Sequence, residues 1–183
     1  MFKLSIAFVE RVCNAAELLG IIFVLLMASA SQYFFNELPC PLCLLQRVGF
    51  LSIAFGFLLN LRFGLRPSHY AVVMLSALFT SIVSLRQIAL HVVPGTGEYG
   101  SPFLGYHLYT WCYIISMIVM VVTTFMFSVD RQYSHLRFSQ RRTFWAANVL
   151  FALTILIAAL NVHTVYRLCG FGECPDNPTQ YVY

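Results

Sequence analysis

Five stretches of this chain, residues 18–35, 42–61, 70–93, 109–128 and 144–165, are apolar over about the length of a membrane crossing. A helix needs roughly 20 predominantly apolar residues to span the hydrocarbon core. Inside hydrocarbon each backbone N–H and C=O must find its partner within the segment, so such stretches fold as helices. The expectation is an all-α membrane bundle of about five transmembrane helices over residues 1–165, followed by a short polar tail, residues 166–183. Only 10% of the side chains are charged and 60% are apolar, whereas soluble domains average about 25% charged. No internal repeat divides the chain, so it reads as one domain in a lipid bilayer. The net charge of +4 does not point to nucleic acid, because the basic residues sit beside apolar segments and leave no separate basic face.

Those basic residues speak to orientation instead, since Lys and Arg in short connections mark the cytoplasmic side. Lys3 and Arg11 precede the first stretch, and Arg62 and Arg66 follow the second. Arg131, Arg137, Arg141 and Arg142 lie between the fourth and fifth, giving eight on one side against Arg167 alone on the other. The N-terminus is therefore expected inside and the C-terminus outside. Lys3 and Arg11 with Ala28-Ser29-Ala30 also resemble a signal peptide and its cleavage site. The apolar run continues through Tyr33, Phe34 and Phe35, so the segment is expected to stay as the first span.

With that topology, five of the six cysteines fall at the outer face, the side on which disulfides persist. Cys13 lies inside and is expected to be an idle thiol. Cys40 and Cys43 form a C-x-x-C between the first two spans, in Pro39-Cys40-Pro41-Leu42-Cys43-Leu44-Leu45-Gln46-Arg47. Such a pair closes a small disulfide, and a helix N-terminus favours the thiolate. Pro41 suits a first helical position, where its missing N–H has no intrahelical partner to lose. Arg47 then lies one turn below Cys43 on the same face. A zinc half-site is the competing reading of a C-x-x-C, but zinc wants four ligands, and no metal is expected. Cys169 and Cys174 enclose four residues that include Gly170 and Gly172, so a second disulfide is easy to close. It reads either as a staple for the tail or as a second redox pair. The redox reading is favoured, because a tail has little to staple and exposed disulfides are labile. Cys112, a turn into the fourth span, is expected to be a packed core residue.

Ionisable groups inside spans are functional-site candidates by default, which singles out Arg47 and Arg86. Gln87 follows Arg86, and His91 lies near the end of the same span. His91, His107 and His163 all approach the outer face, so a haem-binding electron carrier is the rival class. The outer connection, residues 94–108, with Gly95, Gly97, Gly100, Pro102 and Gly105, is expected to be an irregular flap. Tyr106, Tyr109 and Trp111 read as interfacial belt residues.

A C-x-x-C followed by Leu-Leu-Gln-Arg at the head of the second span resembles the disulfide bond formation protein B (DsbB) family. The resemblance covers spans one to four. It implies a thiol:quinone oxidoreductase of the bacterial inner membrane, with its redox sites on the periplasmic face. In that family electrons pass from a soluble, thioredoxin-like (DsbA-like) dithiol protein through two cysteine pairs to a membrane quinone, ubiquinone or menaquinone. Carried over, Cys43 faces the quinone and Arg47 helps to hold it, with Gln46, Arg86 and His91 as further candidate contacts. Cys40 then exchanges with the second pair, being the less deeply placed of the two. This chain departs from the family in two ways. The connection before the fourth span, where family members keep their second pair, contains no cysteine, and a fifth span delivers Cys169 and Cys174 to the same face. The expectation is a relocated shuttle pair, which makes Cys40, Cys43, Cys169 and Cys174 the candidate catalytic residues. A vitamin K epoxide reductase-like enzyme, which also joins a C-x-x-C to a quinone, is the alternative within this class.

Overall fold

The computed structural model describes residues 6–93, 95, 100, 102–134, 141–176, 178 and 180–182. Lys3, Gly97 and Arg137, which entered the reading of charge and flap, lie outside the described residues. The chain is all-helical: α1 (Ile6–Phe34), α2 (Pro41–Phe63), α3 (Pro67–His91), α4 (Leu108–Phe127), a 3-10 turn (Asp130–Ser134) and α5 (Arg141–Cys169). All five α-helices contain a segment long and apolar enough to cross a membrane. Among the described residues no strand forms, and the one β-bridge pairs Phe103 with Tyr106. That bridge closes a turn through Leu104 and Gly105, both at positive φ, and Trp111 donates its indole N–H to the Phe103 carbonyl at 2.8 Å. The segment Ala28-Ser29-Ala30 lies within the unbroken α1.

The most enclosed helix is α2, which packs against α1, α3 and α5, while α3 also packs against α4. Hydrophobic burial does not distinguish helices from lipid tails, so membrane helices associate through close backbone approach at small residues. Gly49 and Gly56, two turns apart, supply that approach. A Cβ on Gly49 would run into Thr80, and one on Gly56 into Val73 of α3. The core between the helices is made by Leu18, Ile21 and Leu25 of α1, Phe50, Ile53 and Phe57 of α2, Val73 and Ala77 of α3, and Ile157 of α5.

The end of the bundle away from Cys40 is closed by polar side chains. Asn60 donates to Asn14 at 2.9 Å, Asn14 donates to the Tyr70 hydroxyl at 2.9 Å, and Tyr70 donates to Gln132 at 3.0 Å. His69 Nδ1 meets Asn60 Oδ1 and the Gly64 carbonyl, both at 3.1 Å. These bonds tie α1, the start of α3 and the 3-10 turn to the last turns of α2. Gly64, at φ 92°, ends α2, and Pro67 opens α3 three residues later.

Candidate redox site

Two local features build the site at the head of α2. Cys40 is the N-cap, in extended conformation, and its sulfur accepts the Cys43 N–H at 3.1 Å. Pro41 takes the first helical position. The cap turns both sulfurs toward each other, and Cys40 and Cys43 are joined as a disulfide. Gln87 of α3, 1% exposed, reaches this pair. Its Nε2 lies 3.3 Å from the Cys40 sulfur and 3.5 Å from that of Cys43. Its Oε1 accepts from Gln46 Nε2 at 2.9 Å, so Gln46 orients the amide that faces the sulfurs.

Beside the pair lies a cavity of about 80 Å³. Val24, Leu25, Phe50 and Leu108 give it apolar walls, and Cys43, Gln46, Arg47, Gln87 and Cys112 give it polar atoms. Arg47 is buried and donates Nη1 to Gln32 Oε1 at 2.7 Å and Nη2 to the Ala28 carbonyl at 2.9 Å. Both acceptors belong to α1, which thereby holds the guanidinium at the cavity wall. A guanidinium carries five N–H donors, so this anchoring leaves further donors for a ligand oxygen.

The second pair is also closed, as a Cys169–Cys174 disulfide. It packs with Leu44, Leu168, Leu38 and Val165, and Leu44 directly follows Cys43 in sequence. The α1, α2 and α5 helices are neighbours, so the two disulfides stand at one end of the bundle. The tail has more to hold than its sequence suggests. Val182 donates its N–H to the Arg167 carbonyl at 2.9 Å, and the Arg167 guanidinium lies 4.1 Å over the Tyr181 ring.

A family model for disulfide bond formation protein DsbB matches residues 10–99, the stretch that contains Cys40, Cys43, Arg47 and Gln87. Over those residues, just under half of the chain, it is similar to the DsbB family. No curated protein and no solved structure matches it. That similarity and the five membrane-length helices support a membrane protein of disulfide formation, and disulfide oxidoreductase activity is what the DsbB family implies. The match stops before α4, so α4, α5 and the second cysteine pair lie beyond the matched region.

Two sequence expectations about individual residues meet a different arrangement. Arg86 is exposed on α3 and does not line the cavity; Gln87 takes that place, because one residue of helix turns a side chain by about 100°. His91 stacks on Tyr109 with ring centroids 5.4 Å apart and is not among the cavity-lining residues. Cys40, at the N-cap, is buried at 6% exposure, and Cys43, within the first turn of α2, is partly exposed and opens on the cavity. Cys112 packs against the core and also contributes to the cavity wall. His107 stacks on Tyr109 as well, and His163 is exposed. Among the described residues no three histidine, cysteine or acidic side chains gather as a metal site. Sequence reasoning missed Gln32, whose long amide side chain at the end of a long apolar run was its signal.

Proposed function

We propose that this protein oxidises a soluble, periplasmic, thioredoxin-like dithiol protein and passes the electrons through its two cysteine pairs to a membrane quinone. The observation that carries this reading is the Cys40–Cys43 disulfide placed beside a cavity that also contains the anchored Arg47. A partner of DsbA type sits near −120 mV, so it must be reoxidised by an acceptor of still higher potential. Thiol pools offer none, and a lipid-soluble quinone reached between helices does. The donor set fits such a ring: apolar walls, a guanidinium for a ring carbonyl, and a sulfur alongside. The cavity is about half the roughly 150 Å³ that holds a benzene ring in an engineered cavity, so its walls must yield on entry.

The exchange balances as follows. A thiolate of the partner attacks one sulfur of Cys169–Cys174, and the partner's second thiol resolves the mixed disulfide, leaving the partner oxidised and the tail pair reduced. The tail dithiol reduces Cys40–Cys43 by the same two displacements and is itself reclosed. Reclosure of Cys40–Cys43 releases two electrons and two protons. A quinone bound at the cavity supplies the acceptor for both. Within the chain, Gln87 offers its N–H to the sulfurs, Arg47 fixes the acceptor's orientation, and the apolar walls keep water away. The burial of Cys40 means that exchange with the tail pair involves displacement of whatever covers it.

Depleting quinone in cells and trapping thiols by acid quenching and alkylation tests this reading. Cys40 and Cys43 should accumulate in the reduced form. Cysteines that stay oxidised whatever the quinone supply would make these disulfides static. The relay also requires both pairs to face the periplasm. A reporter fused after Tyr183 should therefore behave as periplasmic, and one inserted near Ser134 as cytoplasmic.

A further inference from the structure

Gln32 stands between the cavity and the C-terminal tail, and its chemistry admits one orientation. Arginine has donors only, so the Gln32 oxygen must face Arg47, which donates to it at 2.7 Å. The amide NH₂ then points away from the cavity. There it donates to the Tyr181 hydroxyl at 3.0 Å and to Thr164 Oγ1 at 3.3 Å. Gln32 is 2% exposed, so bulk water is not at hand to replace either acceptor. Tyr181 is itself held, by the Arg167 guanidinium over its ring and by the adjoining Val182 N–H to Arg167 C=O bond. Thr164, Arg167 and Tyr181 all lie outside the stretch that matches the family model.

We infer that Tyr181, supported by Thr164, is a positioning residue for Arg47: acting through Gln32, the tail sets the guanidinium that faces the cavity. The inference rests on the reading of that cavity as a quinone site. Losing the hydroxyl leaves a buried amide N–H without its acceptor, which costs more than the bond itself contributes. Gln32 relieves this by turning, and Arg47 then loses the partner of its Nη1. The Ala28 carbonyl still holds Nη2, so the effect is partial. The same turn of chain carries Cys169 and Cys174, which ties the second cysteine pair to the cavity through the tail as well as by exchange.

Equilibrium dialysis of a short-chain benzoquinone against the purified full-length protein in detergent tests this without relying on turnover. Tyr181→Phe keeps the ring over Arg167 and removes only the hydroxyl, and should raise the Kd about three- to tenfold, the size of one hydrogen bond. Thr164→Val, of equal volume, should act in the same direction. Neither should change the Kd further once Arg47 is replaced by alanine, because residues acting through one another are non-additive. Wild-type protein that binds the benzoquinone while both variants bind it equally well would overturn the positioning role alone. A loss of the same factor in the Arg47→Ala background would overturn it too, since the hydroxyl would then act by another route. Wild-type protein that binds no benzoquinone would remove the quinone reading, and this inference with it.

Discussion

The two disulfides stand at one end of the bundle and have little else in common. Cys40–Cys43 is surrounded by oriented polar atoms: the Cys43 N–H, the Gln87 amide and, a turn below, Arg47. Cys169–Cys174 rests on leucine and valine side chains and begins at the C-terminal residue of α5. A helix N-terminus favours a thiolate, and its C-terminus does not. Under the proposed function, the first pair is suited to hold negative charge on sulfur beside the cavity. The second is held in place by apolar packing. One pair is joined to the contact between α2 and α3 through Gln87, and the other sits at the end of α5. The two disulfides thus differ in what surrounds them, and the proposed relay gives each surrounding a different role.

Replacing cysteines breaks the comparison most sharply. Cys43→Ser should reduce oxidation of any dithiol to background, a fall of at least about a hundredfold. The Cys169→Ser, Cys174→Ser double variant should lose oxidation of the soluble protein partner to a similar degree. It should still oxidise dithiothreitol, which is small enough to reach the first pair directly. Normal oxidation of the protein partner by the double variant would reduce the tail pair to a staple. Non-reducing gels of single Cys→Ser variants should trap Cys174 with the soluble partner and Cys40 with Cys169.

Arg47 comes next in size. Arg47→Ala removes a charged donor at the cavity and should raise the apparent KM for quinone about ten- to a hundredfold. Exchange with dithiols in the absence of quinone should change little. Arg47→Lys keeps the charge and loses the planar fork. It cannot serve Gln32 and the Ala28 carbonyl in the same geometry and should fall between the two. An unchanged KM in Arg47→Ala would show that the guanidinium has no part in quinone use.

The first pair was legible because local chemistry defines it: a proline, a cap and a helix need no distant partner to take shape. Five apolar stretches likewise dictated five helices, since the bilayer leaves the backbone no alternative. Facing was harder to read. The inward stripe of α3 runs through Val73, Ala77, Thr80, Ser84 and Gln87, spacings of four, three, four and three that place Gln87 inside and Arg86 outside. Charge drew attention to Arg86, although the periodicity of small and polar residues was the better guide. Docking of the tail was beyond reach, because Tyr181 finds its place through contacts with Arg167 and Gln32, residues far apart in sequence. Nothing local to a Pro- and Gly-rich tail announces such contacts.

Gln87 offers the smallest effect and the most discriminating sign. Its amide N–H faces both sulfurs, so in the reduced protein it is placed to stabilise a thiolate. Gln87→Leu keeps the bulk and removes the donor. It also removes the acceptor of Gln46 Nε2, so some loss of packing order is expected. The two consequences pull reactivity in opposite directions. Looser packing exposes the cysteines and speeds their alkylation, whereas loss of a hydrogen bond to sulfur lowers the thiolate fraction and slows it. With quinone removed and the pair reduced, iodoacetamide should label Cys40 and Cys43 about three- to tenfold more slowly in Gln87→Leu, the range of one hydrogen bond. The effect stays modest because the Cys43 N–H still donates to the Cys40 sulfur. Reduced Cys169 and Cys174, which the structure places among apolar side chains, should be labelled at the wild-type rate. Faster labelling of the first pair would mean that Gln87 serves only as a spacer between α2 and α3, and the contrast between the two pairs would then rest on the helix N-terminus and Arg47.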